Sequence, residues 1–113
     1  MTDARIPISI WIDAHLRRLN EIGRGYYILN KGAFAAGTVL VKINLLDGFS
    51  HILTQIRDMD GNLGWMNATK EERVAESDAD AYIRRAVDRD PDIWVIEVED
   101  REGINPFEGK LIL

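Results

Sequence analysis

The chain has no cysteine among its 113 residues, which excludes disulfides, thiolate zinc sites and cysteine nucleophiles. Histidine is nearly as scarce. Only His15 and His51 occur, and neither stands in the HxH or HExxH spacing that lets two imidazoles share a metal. No apolar run approaches the roughly 20 residues needed to cross a bilayer. The start MTDARIPISIW lacks the basic leader and small-residue cleavage pattern of a signal peptide, so the expected location is cytoplasmic, without a membrane partner. Gly23-Arg24-Gly25 lacks the spacing of a P-loop or a Rossmann turn, and no GxSxG surrounds any serine. Positive charge is not in excess either. The net charge is -5, which opposes a polyanionic partner unless the bases gather on one side.

The length suits one compact domain spanning 1–113. Its negative charge is local. Residues 88–102, DRDPDIWVIEVEDRE, carry seven acids against two bases, while 1–87 and 103–113 are each balanced.

Hydrophobic spacing predicts a helix over about 9–22, with Ser9 as its cap and Ile12, Leu16 and Leu19 on one stripe. The period then changes to two. Strands are expected at YYIL (26–29), TVLVKINLL (38–46), FSHILTQIRD (49–58) and LGWMNA (63–68), with Asp47-Gly48 as a two-residue hairpin turn. In the second of these, Val39, Val41, Ile43 and Leu45 share one face and Lys42 and Asn44 the other. Ser77 is expected to open a second helix that Pro91 stops, and IWVIEVED supplies the last strong strand, with Trp94, Ile96 and Val98 on one face and Ile93, Val95, Glu97 and Glu99 on the other. The tail INPFEGKLIL is expected to dock loosely or to pair at an edge.

The segment DAHLRRL (13–19) is echoed by DAYIRRA (80–86). In each copy an aspartate precedes the first arginine by four residues, which permits an ion pair across one helical turn. These are common helix residues, and the strands between the copies do not repeat. One helix recipe used twice accounts for the echo; the functional alternative has Arg17, Arg18, Arg84 and Arg85 meeting as an anion site, which requires the two helices to be neighbours.

HLRRL near the start, AGTVLVKIN in the middle and above all RDPDIWVIEVED together resemble the short bacterial proteins of the DUF1491 family over most of the chain. The resemblance implies no activity, substrate or cofactor. The family's loop before the second strand is often acidic; here Ala33-Phe34-Ala35-Ala36 has no acid, which removes any ligand role there. The tail INPFEGKLIL also departs from the family pattern.

The expected fold is α+β: an antiparallel meander of about five strands, curled into a small open barrel of the Sm or SH3 type or lying flat under its helices. The leading functional expectation is a non-catalytic binding or adaptor domain whose acidic patch, Asp90, Asp92, Glu97, Glu99 and Asp100, meets a basic protein partner. A second is a nucleic-acid-binding barrel using the four helix arginines with Trp65, the aromatic most expected to be exposed. A third is a metal-dependent hydrolase built on Glu97, Glu99 and Asp100. No catalytic residue and no cofactor are assigned. A homodimer through unpaired strand edges is a further expectation.

Overall fold

The computed structural model describes residues 6–112. Helix α1 spans Ile8–Glu21, helix α2 spans Glu76–Arg89, and seven strands run β1 Tyr26–Asn30, β2 Val39–Asn44, β3 Phe49–Arg57, β4 Leu63–Asn67, β5 Val74–Ala75, β6 Trp94–Glu99 and β7 Lys110–Leu111. The α+β class holds. The strand order does not follow the chain.

The sheet runs β1-β6-β2-β3-β4-β7, with β5 pairing β3 off the main path. Only β2, β3 and β4 form the expected antiparallel meander. The last strong strand, β6, inserts between β1 and β2, antiparallel to the first and parallel to the second. A five-stranded meander is therefore corrected to an open mixed sheet, and with β1 and β7 at its two edges it does not close into a barrel. The reason is written in β6 and β2 themselves. Five of six residues in each are buried, as befits strands covered on both faces.

The helices supply those covers on opposite sides. Ile12, Leu16 and Leu19 of α1 join Val39, Val41, Ile43, Trp94, Ile96 and Val98 in one core. Ala79, Ile83 and Ala86 of α2 join Leu40, Ile52, Ile93 and Val95 in the other. Alternation along β6 divides its side chains between the two layers, as its sequence pattern predicts.

Neither helix uses its expected serine cap. Pro7 precedes α1, whose first amides, on Ile8 and Ser9, donate to the Ala35 and Phe34 carbonyls at 3.1 and 3.0 Å. Ala75 precedes α2, and the Glu76 amide donates to the Gly48 carbonyl at 2.9 Å. Loop backbone does the work expected of hydroxyls. The β2–β3 turn is also longer than two residues: Leu46 and Gly48 take positive φ, while Asn44 and Asp47 side chains accept from the Leu46 and Phe49 amides.

Two glycines fix close approaches. A Cβ at Gly32 would run into the Asp92 carbonyl and the Trp94 ring, and one at Gly64 would run into the Ile112 side chain. The second approach lets the tail add as β7, parallel to β4, with the Ile112 amide donating to the Trp65 carbonyl at 2.7 Å. Of the two expectations for the tail, edge pairing is the one realised.

Candidate functional sites

Lys42 lies in β2 on the face that α2 covers, and its side chain is only 2% exposed. A lone ammonium there would be costly, so the surrounding acids define it. Its Nζ donates to Asp80 at 2.8 Å and Glu76 at 3.2 Å, both one turn apart on α2, and lies 3.4 Å from Glu97 of β6. Asn44 donates to Glu76 and Glu97 and closes the network. Burial alone pushes the ammonium's pKa down, but the Asp80 hydrogen bond, the Glu97 charge and the Glu76 hydrogen bond outweigh it and hold it above 10.5. Lys42 is therefore a permanent cation at neutral pH.

This network alters the meaning of Glu97. It is a counter-ion for Lys42 rather than a free surface acid, and no group of three or more metal-ligating side chains occurs among the described residues. The sequence pattern sets Lys42 on the polar face of its strand and does not announce the network around it.

The second site is a cleft of about 560 Å³ on the α1 side. Ile8 and Trp11 of α1 form one wall, Gln55 and Arg57 of β3 lie along it, and Leu63 and Glu108 complete it. Ala35, Ala36 and Gly37 also line it. The Gln55 amide nitrogen is buried and has no hydrogen-bond partner among the described residues.

A smaller cavity of about 160 Å³ lies beside His51, Trp65 and Asn105. His51 Nδ1 donates to the Glu72 carbonyl at 2.8 Å. His15 is buried with both nitrogens engaged: Nδ1 donates to the Trp11 carbonyl at 2.8 Å and Nε2 accepts from the Glu108 amide at 3.4 Å. Both histidines are thus tied to backbone.

The third site is the free edge of β1. Tyr27, Ile28 and Leu29 are 53%, 46% and 43% exposed, and the strand carries no charge and no proline. Its two ends meet the two ends of β6. At the Asn30 end, the Asn30 side chain donates to the Pro91 and Ile93 carbonyls, which sets Asp90 and Asp92 beside it. At the other end, Tyr26 pairs with Val98, next to Glu99 and Asp100.

The expected acidic patch is accordingly divided. Asp90 and Asp92 sit at one end of β6, Glu99 and Asp100 at the other, and Glu97 is buried between them. Arg24 lies 3.6 Å from Asp100; no ion pair engages Asp90, Asp92 or Glu99 among the described residues. The four helix arginines are exposed but lie on helices covering opposite faces, so Arg17 and Arg18 do not meet Arg84 and Arg85. Asp80 pairs with Lys42, not with Arg84. Trp65, expected at the surface, is 1% exposed and donates through Nε1 to the Glu108 carbonyl at 2.8 Å. The Gly64 beside it admits the tail rather than exposing the ring.

A small mixed sheet with one helix on each face is the class that these observations define. The chain belongs to the DUF1491 family, described as protein of unknown function, which it matches over residues 6–108. A crystal structure of a DUF1491 family protein from Caulobacter crescentus CB15 is similar at 34% identity and a TM-score of 0.82, over 95% of this chain and 99% of that one. A solution structure of a DUF1491 family protein from the same organism gives 34% identity and 0.78, over 96% and 97%. The solution structure of protein Atu0922 from A. tumefaciens shares the fold at 24% identity and 0.66, over 84% and 86%. No functionally curated protein matches the chain.

Proposed function

We propose that the protein is a non-catalytic binding domain that takes an extended, basic segment of a partner protein onto the free edge of β1. The observation that carries the reading is the strand YYILN itself. Three consecutive exposed apolar side chains lie on an edge without the charges or proline that usually blunt one. An extended segment added there gains backbone hydrogen bonds from the strand and side-chain contact with Tyr27, Ile28 and Leu29.

Charge supplies the preference for a basic partner. Asp90 and Asp92 at one end and Glu99 at the other flank an uncharged strand about 17 Å long at 3.3 Å per residue. Lysines or arginines at both ends of an apolar segment match that spacing, and the attraction chiefly raises the association rate.

The test uses a defined probe, a peptide of alternating valine and threonine with two lysines at each end. Titrated into isotope-labelled protein, it should move the backbone amide resonances of 26–30 saturably, and an otherwise identical peptide with glutamate ends should bind at least tenfold more weakly. Asp90→Lys combined with Asp92→Lys should erase that preference. Perturbation that misses β1, or equal binding of both peptides, would overturn the reading, as would a concentration-dependent dimer that occupies the edge instead.

A further inference from the structure

The Tyr26 end of β1 lies beside a carboxylate that the fold leaves unused. Glu99 ends β6, and the register that pairs Tyr26 with Val98 sets Gly25 beside Glu99 one step further along the ladder. Val98 packs in the α1-side core and Val95 in the α2-side core, so alternation puts Glu99 on the α2 face, two residues beyond Glu97 and its Lys42 contact. Its Oε1 lies 3.3 Å from the point that a Cβ on Gly25 would occupy. The carboxylate therefore stands against bare backbone at the edge, where any other residue would screen it. Gly25 is exposed and its φ is not in the left-handed region, so glycine supplies room here rather than conformational freedom.

The neighbouring base does not claim this carboxylate. Arg24 donates through Nη2 to the Ile104 carbonyl at 2.8 Å and through Nε to the backbone carbonyl of Glu99 at 3.4 Å, and its ion pair, at 3.6 Å, is with Asp100. Among the described residues no hydrogen bond or ion pair engages the Glu99 side chain. Tyr27, 53% exposed, comes next on the same face of β1, opposite Glu97. On the other face Tyr26 and Ile28 pair with Val98 and Ile96 of the α1-side core. An added strand thus meets a carboxylate and an aromatic ring on one face and apolar surface on the other. From this we infer that the edge reads one basic side chain of its partner at a fixed place: an arginine or lysine on the α2 face, its stem across Gly25 and against Tyr27, its charge on Glu99. Such a side chain gains from the ring as well as from the acid. The partner residues on either side of it turn to the α1 face and are apolar. This inference rests on the β1 edge reading and adds to it a position and a face.

The test uses the Asp90→Asn/Asp92→Asn protein, in which the acids at the other end of β1 are neutral. Two peptides of alternating valine and threonine, one ended in lysines and the other in glutamines, are titrated into it with isotope labelling. Both should move the amide resonances of 26–30, the lysine-ended one binding at least threefold tighter and shifting the Glu99 side-chain carboxyl carbon saturably. Adding Glu99→Gln should equalise the two peptides. Adding Gly25→Val, which sets a branched side chain over the carboxylate, should weaken the lysine-ended peptide to the level of the other while the remaining resonances stay those of the folded protein. Equal binding of the two peptides before Glu99 is changed, or a lysine preference that survives Glu99→Gln, would overturn the basic slot and leave the edge reading standing. Peptides that leave the 26–30 resonances unmoved would overturn both.

Discussion

Lys42 shows how much one residue can reveal about its surroundings. It is 2% exposed and held by three carboxylates, of which Glu76 and Asp80 are themselves more than two-fifths exposed and Glu97 is nearly buried. Removing the cation alone leaves Glu97 without its partner. Lys42→Met should therefore cost about 3 kcal/mol in urea unfolding, whereas Glu76→Gln or Asp80→Asn should each cost less than about 1 kcal/mol because water screens those rim acids. The pH dependence has a definite sign. The folded pKa of Lys42 is raised, so its contribution is fully present below the unfolded value and is lost as pH rises through the folded one. Across pH 7–9 the contribution of Lys42 should stay constant, and a stability difference between wild type and Lys42→Met that shrank in that window would contradict the assignment. Gln55 makes the opposite case. Its amide nitrogen is buried without a partner among the described residues, a condition that costs about 1–3 kcal/mol, so Gln55→Leu should raise the denaturant midpoint by the equivalent of about 1 kcal/mol.

Lys42 was legible in principle. VLVKI and WVIEV are nearly continuous apolar runs, the mark of strands covered on both faces, and a charge within such a strand must be buried and paired. Glu76 and Asp80, four apart at the start of α2, are the matching acids. Trp65 misled for a local reason: the small residue beside it signalled exposure, yet the space at Gly64 is filled by Ile112 from far along the chain. The Gln55 cleft gave no sequence signal, since its walls come from α1, β3, β4 and the tail.

Elements were readable where periodicity speaks and unreadable where pairing does. Both helices fall within a residue of their expected starts, and β6 distributes its two faces as predicted. Nothing in a period of two names a neighbour, however, and β6 joins strands more than fifty residues before it in the chain. The consequence is that central and edge strands respond differently to change. Ile96, fully buried in β6, should cost about 2–5 kcal/mol as Ile96→Ala. Ile28 on the edge should cost less than about 1 kcal/mol as Ile28→Lys, while abolishing capture of the strand peptide. Thermal and chemical unfolding of the two variants separate these cases.

Across the whole molecule, the sheet joins early and late segments. Among the described residues β1 pairs only with β6, which lies far later in the chain, so the sheet depends on long-range closure. Amide exchange should follow position in the sheet. The amides of β2 and β6 should be lost only through global unfolding, and those of β7 should exchange fastest among the strands. The two helices cover opposite faces and leave the sheet's edges open, and of these the β1 edge has acids at either end.

That edge is the most direct place to test the account, by hydrogen exchange of Tyr26–Asn30 with and without the lysine-ended strand peptide. The account predicts that saturating peptide slows exchange of the β1 amides at least tenfold and leaves β7 unchanged. Unaltered β1 exchange at saturation, or protection that falls on β7 instead, would contradict it.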